Sequence, residues 1–359
     1  MTNTVGGLAA QIATSFGIDK AAGWDPVGLQ LGDPAAAASR VAVCHEVTSE
    51  IVSRAVAERV DLVVSYHPLL FRAVSKLVSS AGPAGRAFQL VSRGVALVVV
   101  HTAFDVMTGG TADALAAALG LEETSGFGPG WGGDTVKIVT FAPIGIADDV
   151  ATAMTVAGAG RIGSYSSCSF RTEGIGTFYP EPGASPQIGR GETLNRESEI
   201  RIEMVAPAAQ ADSVVAALVN AHTYEEPAYD VIETRSNAGF IGRAGTLSAP
   251  MTVASLSDHV HDRLGGVVRV SGSGPVSTVA VIPGSGGSFL SSVDADVVVT
   301  GDVSHHQARA AAEASTAVID PGHAATERPG VKALYAAVAE TIGDAIDMTD
   351  VDPDPWKER

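Results

Sequence analysis

The sequence predicts an α/β protein whose core is interrupted by a smaller inserted module. In the first third, short apolar runs alternate with stretches of helical spacing, the pattern of a mostly parallel sheet covered on both faces. In the middle, the predicted strands alternate apolar and polar residues, as half-exposed strands do. In the last third, short apolar strands again alternate with other segments, as in the first third. We therefore expect a discontinuous α/β core of residues 1–134 and 236–359 around an insertion at residues 135–235.

The first core segment contains three predicted strands, each followed by a predicted helix. The strands are short, apolar and largely β-branched, which favours burial in a sheet. Thr48 or Ser49 is a suitable N-cap for the first helix. In chain order, the predicted elements are strand Val41–Cys44, helix Thr48–Glu58, strand Leu62–Ser65, helix Ala84–Arg93, strand Gly94–Val100 and helix Gly110–Leu119.

The inserted segment follows a glycine-rich stretch, Gly126–Asp134, which we interpret as a linker. Its order of elements is strand, helix, two strands, helix and strand. That order predicts a small ferredoxin-like α+β module. The predicted elements are strand Thr135–Pro143, helix Ile146–Ala157, strand Ser167–Phe178, strand Glu199–Val205, helix Gln210–His222 and strand Tyr229–Glu233.

The last core segment repeats the pattern of short apolar strands followed by turns. Strands are predicted at Ser277–Ile282, Asp296–Thr300 and Ala317–Ile319, and a helix at Val331–Ile342. Pro329 lies just before that helix, and an interior proline removes a helical hydrogen bond. We therefore expect Pro329 in a first turn or at a break between two helices.

The composition restricts the function. The chain has 359 residues, 46% of them hydrophobic, and a formal net charge of -17, which repels phosphate backbones and attracts metal cations. General nucleic-acid binding is therefore not expected. Cys44 and Cys168 are too few for a disulfide framework. Neither a signal-peptide pattern nor an apolar run long enough for a bilayer is found, so we predict no membrane association and a cytoplasmic location.

Polar residues gather at the ends of the predicted core strands. Parallel strands end at a common edge of the sheet, where α/β proteins form their binding crevices. Imidazole and carboxylate groups are the usual ligands of zinc, iron and manganese. The residues that follow apolar strands include five of the nine histidines and three aspartates, namely His67, His101, His305, His306, His323, Asp105, Asp302 and Asp320. Together they predict a metal site.

Other interpretations of single residues stay open at this point. A lone histidine after a strand is more often structural than a ligand, so we expect His45 to pack beside Cys44, with a ligand role as the less favoured alternative. His305 and His306 fit a solvated turn as well as a substrate contact. His323 and Glu327 are four residues apart and share a face if this segment is helical. The sequence contains neither a Walker motif nor a serine nucleophile elbow.

Several motifs resemble those of the Nif-three-like family, also called YbgI-like proteins or GTP cyclohydrolase 1 type 2 homologs. In the core, these motifs are Trp24–Leu29 (WDPVGL), Ser65–Pro68 (SYHP), His101–Asp105 (HTAFD), Thr300–Asp302 (TGD) and Asp320–Glu327 (DPGHAATE). In the insertion, Gly158–Gly163, Cys168–Phe170, Gly174–Phe178 and Tyr224–Asp230 are similar to the PII/CutA-like insert of the longer bacterial members. The resemblance covers nearly the whole chain.

The resemblance implies a two-metal centre and a ring-shaped homohexamer with the metal sites facing an internal cavity; for this chain we expect one or two divalent ions. The metal ligands that it implies are His67, Asp105, His323 and Glu327, and zinc, iron and manganese suit them alike. The family has histidine where this chain has Tyr66, so the number of ions depends on this position. Further residues expected to line the site are Tyr66, Asp25, Asp302 and His305.

Three functions compete. The first is a metal-dependent hydrolase that attacks a small nucleotide-like or phosphorylated substrate with metal-bound hydroxide, with His101 or His306 as the proton shuttle. The second is a non-catalytic metal-binding regulatory or chaperone-like protein, which the PII-like insertion favours. The third is a structural assembly protein in which the histidine cluster is incidental. The sequence identifies neither the small-molecule substrate nor a protein partner.

Overall fold

The computed structural model describes residues 3–131, 135–162, 165–234 and 239–356. The chain divides into two compact units, a core unit of Met1–Gly132 with Gly239–Arg359 and an inserted unit of Gly133–Ala238. The predicted domain boundaries, after residue 134 and after residue 235, fall at residues 132–134 and 235–238, which lie outside the described residues. The predicted fold class, a discontinuous α/β core with an inserted α+β domain, is confirmed.

The helices and strands are numbered in chain order. Before the insertion they are α1 (Val5–Phe16), β1 (Gly28–Leu31), β2 (Val41–Cys44), α2 (Ser49–Ala57), β3 (Leu62–Ser65), α3 (Pro83–Ser92), β4 (Ala96–Val99), α4 (His101–Val106), α5 (Thr111–Ala118) and β5 (Glu122–Trp131). In the inserted unit they are β6 (Thr135–Pro143), α6 (Ala147–Val156), β7 (Phe170–Phe178), β8 (Asn195–Pro207), α7 (Ala211–Ala221) and β9 (Tyr229–Glu233). After it they are β10 (Gly239–Thr252), α8 (Val253–Leu264), β11 (Arg269–Ser271), β12 (Pro275–Ser285), β13 (Val297–Gly301), α9 (His305–Glu313), β14 (Ala317–Asp320), α10 (His323–Ile342) and β15 (Ile346–Asp347).

The first sheet of the core unit has the strand order β1-β4-β3-β2-β15. Its strands β2, β3 and β4 are parallel neighbours, and every residue in them is buried. Burial on both faces explains why these strands are short, nearly continuous apolar runs. The strands predicted at Val41–Cys44 and Leu62–Ser65 have the predicted bounds.

The second sheet of the core unit has the order β11-β14-β13-β12-β10-β5. Strands β12, β13 and β14 are parallel, and β10 and β5 extend the sheet in antiparallel pairs. The prediction of a linker from Gly126 was wrong, because residues up to Trp131 belong to β5. The hydrogen bonds that pair β5 with β10 outweigh the low strand propensity of glycine. Because β10 follows the insertion in the sequence, a local pattern does not reveal this pairing.

The inserted unit has the predicted order of strands and helices. Its antiparallel sheet runs β7-β8-β6-β9, the arrangement of a ferredoxin-like fold. Helices α6 and α7 contribute Val150, Met154, Val214 and Leu218 to a core that covers one face of this sheet. The other face of the sheet is therefore available to loops and ligands.

Helix α10 continues through Pro329, so the predicted first turn or break at this residue was wrong. An interior proline costs about 3 kcal/mol in an isolated helix. Tertiary packing offsets this cost, since Val331, Leu334 and Val338 lie in the core beneath the first sheet. Ala325, one turn before Pro329, packs into the core of the second sheet. Among the described residues, no helix has the length and apolarity needed to cross a membrane.

Candidate metal centre

The strands of the first sheet place their carboxyl-terminal residues side by side. His45 follows β2, Tyr66 and His67 follow β3, and His101 follows β4. Backbone hydrogen bonds continue beyond the strands, from His67 N to His45 O at 2.9 Å and from His101 N to Tyr66 O at 3.0 Å. The register of the sheet therefore holds these side chains at one edge.

Glu327, in the second turn of α10, is the centre of the cluster. Its Oε2 accepts hydrogen bonds from His45 Nε2 at 2.8 Å and from His67 Nε2 at 3.0 Å. Its Oε1 lies 3.0 Å from His323 Nε2. Donor atoms of His45, His67 and Glu327 all lie within 4.8 Å of one another. Since zinc holds such ligands at about 2.0–2.2 Å, three donors this close suit one ion after small side-chain movements.

The electrostatics of Glu327 also suit a cation. Burial by itself would raise the pKa of this carboxyl group, but the charges and hydrogen bonds of His67, His323 and His45 hold its pKa well below the ordinary value. Burial also opposes protonation of His323, yet Glu327 and Asp302 outweigh it and raise the pKa of His323 to about 9. The negative charge of buried Glu327 is thus balanced by imidazolium groups. A divalent ion bound at this position would balance the same charge.

Tyr66 occupies the position beside His67 and is fully buried. Its hydroxyl donates a hydrogen bond of 2.5 Å to Asp105 Oδ1. Burial, together with the negative charges of Asp105 and Glu327, raises the pKa of Tyr66, so the phenol keeps its proton. Burial also raises the pKa of Asp105 to about 6, although His101 and Tyr66 act in the opposite direction. Asp105 is not among the donors within 4.8 Å of one another, so its ligand role stays a prediction.

Two aspartates orient histidines of the site. Both Asp25 oxygens lie 2.9 Å from His101 Nδ1, and Asp25 also accepts from Thr102 N at 3.1 Å. Asp302 Oδ2 lies 2.7 Å from His323 Nδ1. Carboxylate–imidazole pairs of this kind fix the ring orientation and raise the basicity of the other nitrogen. Asp25 and Asp302, predicted to line the site, thus act on its histidines.

His305 and His306 lie in the first turn of α9, are exposed, and contact each other with ring centroids 5.4 Å apart. Within the described parts of the chain, no contact joins either ring to Glu327 or its histidines. The roles predicted for them stay predictions.

The role of His45 was underestimated from the sequence, because we favoured packing beside Cys44 over a ligand role. The side chain is buried and hydrogen-bonded to Glu327. A signal was present, since His45 follows β2 as His67 follows β3.

The family model of Duf34/NIF3 (NGG1p interacting factor 3) matches residues 4–355. Curated relatives include the GTP cyclohydrolase 1 type 2 homolog of Bacillus subtilis (strain 168), which is 35% identical over 346 residues, 92% of either chain. The protein of the same name from Mycobacterium tuberculosis (strain ATCC 25618 / H37Rv) is 34% identical over 348 residues, 93% of this chain and 91% of the relative.

Solved structures give the same result. A Bacillus cereus protein related to NIF3 superposes with a TM-score of 0.68 at 31% identity, covering 98% of each chain. Staphylococcus aureus protein SA1388 superposes with a TM-score of 0.73 at 24% identity and 99% coverage of each chain, which shows a common fold. With the family match over nearly all of its length and these relatives, the chain belongs to the Duf34/NIF3 family.

Proposed function

We propose that the protein binds a divalent metal ion through His45, His67 and Glu327 and hydrolyses a small nucleotide-like substrate at this centre. The observation that carries the proposal is the buried Glu327 carboxylate, which contacts three imidazoles. An ion held there would supply Lewis acidity and lower the pKa of a bound water. Asp105 and His323, which the family resemblance adds, are predicted ligands of the same centre.

His101 is the candidate for proton transfer. Its ring centroid lies 5.0 Å from that of His67, and 13% of its side chain is exposed, so a substrate can reach it. Burial lowers the pKa of His101, but Asp25 and Asp105 outweigh burial and raise it above the ordinary value. A protonated His101, held by Asp25, can therefore give a proton to a leaving group near neutral pH.

An exposed aromatic pair supports the nucleotide-like substrate class. Trp24 and Phe71 are 59% and 53% exposed, and their ring centroids lie 5.8 Å apart. Trp24 also lies edge-on to His101 at 6.4 Å. Exposed aromatic rings beside a catalytic group offer a stacking surface for a planar base. Arg72, exposed next to Phe71, supplies a charge for a phosphate group.

A second candidate is a metal-binding protein without turnover. One observation favours it, because the hydroxyl of Tyr66 already occupies an oxygen of Asp105. A carboxylate held in this way is less available as a bridging ligand for two ions. The predicted homohexamer is compatible with either function and is tested by light scattering of the purified protein.

The test combines metal analysis with a substrate panel of nucleotides and phosphoesters. We expect wild-type protein to bind about one ion per chain and to hydrolyse a member of the panel, and Glu327→Gln to lose both properties. Glu340→Gln, an exposed position on the same helix, is the matched control and should behave as wild type. Metal binding without turnover would support the second candidate. Equal metal content in Glu327→Gln and wild type would contradict the proposed centre.

A further inference from the structure

The inserted unit contains a cavity of about 850 Å³, independent of the metal centre. It lies on the face of the sheet opposite α6 and α7, because its lining residues Phe141, Glu199 and Arg201 alternate with core residues such as Ile138 and Ile202. The remaining wall is formed by strand β7, by the loop between β7 and β8, and by the turn before β9. This volume is in the range of pockets for small organic ligands.

The lining of the cavity is acidic. Among the described residues, the lining includes three glutamates, Glu199, Glu225 and Glu226, and one basic residue, Arg201. The guanidinium of Arg201 is already engaged, because its Nε donates to Glu203 Oε1 at 2.9 Å and the group lies 5.7 Å from the centroid of Phe141. The cavity therefore has an excess of negative charge that a cationic ligand would balance.

The side chain of Glu199 is held in place by burial, a hydrogen bond and close packing. Only 8% of this residue is exposed, and its Oε1 accepts a hydrogen bond from Tyr224 Oη at 2.7 Å. Gly176 on the neighbouring strand leaves room for the carboxylate, since a Cβ there would lie 2.1 Å from Glu199 Oε2. Tyr224 is fixed in turn, with its N–H donating to His222 Nδ1 at 3.0 Å. A carboxylate is thus held in a defined place at the wall of the cavity.

The rest of the wall is aromatic and aliphatic. Phe178 and Tyr224 contact each other with ring centroids 6.0 Å apart, and Phe141, Ile175 and Ile188 also line the space. Aromatic faces attract cations, more strongly when water is excluded. The backbone N–H of Ser185 donates a hydrogen bond to the side-chain Oε2 of Glu225 at 3.2 Å and so connects the β7–β8 loop to the turn before β9.

We propose that this cavity binds a small organic cation, an amidinium or ammonium group on a planar apolar body. Glu199 pairs with the positive group, and the rings of Phe141, Phe178 and Tyr224 contact the body. An inorganic anion or a nucleotide phosphate is disfavoured by the surrounding glutamates. The proposal does not depend on the metal centre, so it can fail or succeed separately from the proposed hydrolysis.

The test is a calorimetric titration of the full-length chain with benzamidine and with benzamide. The two probes have nearly the same shape, but only benzamidine is positively charged at neutral pH. We expect benzamidine to bind at least tenfold more tightly than benzamide, and Glu199→Gln to lower its affinity at least tenfold. Glu233→Gln is the matched control, because Glu233 is exposed on β9 of the same unit and is not part of the lining. It should bind benzamidine as wild type does.

Folding is checked by thermal unfolding of each variant. If Glu199→Gln does not fold, Tyr224→Phe replaces it, since the ring stays while the hydrogen bond to Glu199 is lost; benzamidine should then bind several-fold more weakly. Equal affinity for the two probes, binding of neither probe, or undiminished affinity in a folded Glu199→Gln would each overturn the proposal. Equal losses in Glu199→Gln and Glu233→Gln would show only nonspecific charge attraction and would overturn it as well.

Discussion

The two halves of the core unit, on either side of the insertion, share one architecture but differ in chemistry. Each half contains a helix capped by a threonine side chain, Thr4 for α1 and Thr252 for α8, and in the second half strand β10 precedes this helix. In each half an antiparallel strand follows, and three parallel strands come next, β2 to β4 in the first half and β12 to β14 in the second. Each half also has a left-handed glycine, Gly32 or Gly272, against the alanine that begins the last parallel strand.

A pair of aspartates repeats in the same way. Asp61 precedes β3 and accepts hydrogen bonds from Ser39 N at 2.8 Å and Arg40 N at 2.9 Å. Asp296 precedes β13 and accepts from Ser277 N at 2.8 Å and Thr278 N at 2.9 Å. These capping arrangements hold the amino-terminal ends of neighbouring strands together.

The difference lies at the carboxyl ends of the strands. In the first half, each parallel strand is followed by a histidine, at positions 45, 67 and 101. In the second half, the turns after β12 and β13 carry glycine and Asp302, and only β14 leads to His323 and Glu327. The first half thus supplies most imidazoles and the second supplies the carboxylate. One scaffold used twice shows that the chemistry is set by short loops, not by the strands that support them.

The largest expected effect follows from removing the charge of Glu327, the second-half carboxylate that contacts His45 and His67 of the first half. Glu327→Gln should weaken metal binding by more than about 100-fold, because a neutral amide cannot balance the ion or the three imidazoles. Competition against a chromophoric chelator measures this affinity. An affinity within threefold of wild type would mean that the ion binds through first-half residues alone.

The next effect concerns Gly301, at the end of β13. A Cβ at this position would lie 2.6 Å from the backbone Cα and N of His323, which cannot move without displacing the start of α10. Gly301→Ala should lower the free energy of unfolding by about 1–3 kcal/mol, measured in urea, and should also reduce metal affinity. Gly145→Ala is the control, because nothing lies within 4 Å of its added Cβ. Similar losses in both variants would contradict this account of Gly301.

The third prediction tests what Tyr66 does to metal stoichiometry. Tyr66→His should raise the metal content toward two ions per chain, because an imidazole replaces a phenol that keeps its proton and frees Asp105 from its hydrogen bond. Tyr66→Phe is the matched control, since phenylalanine frees Asp105 without adding a ligand. Elemental analysis of the purified variants measures the number of metal ions per chain. An unchanged stoichiometry in Tyr66→His would show that Tyr66 is not the reason for a single ion.

The smallest effect concerns the repeated aspartates. Burial opposes ionisation of Asp61, but hydrogen bonds from Ser39 and Arg40 lower its pKa, and hydrogen bonds from Thr278 and Ser277 lower that of Asp296. A lowered pKa in the folded state contributes stability above the unfolded value, near 3.9, and this stability is lost as the pH falls through the folded pKa.

Asp61→Asn and Asp296→Asn should therefore each cost at most about 1 kcal/mol at pH 7, since both sites are partly solvent-screened. The difference from wild type should shrink toward pH 3. Urea unfolding at the two pH values tests this, and an equal or larger difference at pH 3 would be inconsistent with the capping role.

The sequence alone predicted the parallel strands of the core and the order of strands and helices in the insertion. Buried strands leave continuous apolar runs, so β2 and β3 were predicted with their observed bounds, and β9, a more exposed strand, was predicted as well. The positions of His67 and His101 near one edge also followed, because parallel strands end together. These features depend on patterns within a few residues.

Only the tertiary structure decided how the polar groups pair. The bond from Tyr66 to Asp105 and the place of His45 against Glu327 depend on strand register and on where α10 packs. The pairing of β5 with β10 joins segments on either side of the insertion. The cavity beside Glu199 needs a loop folded against a sheet face. Each of these contacts joins residues distant in sequence, and no local pattern records which distant partner a side chain will meet.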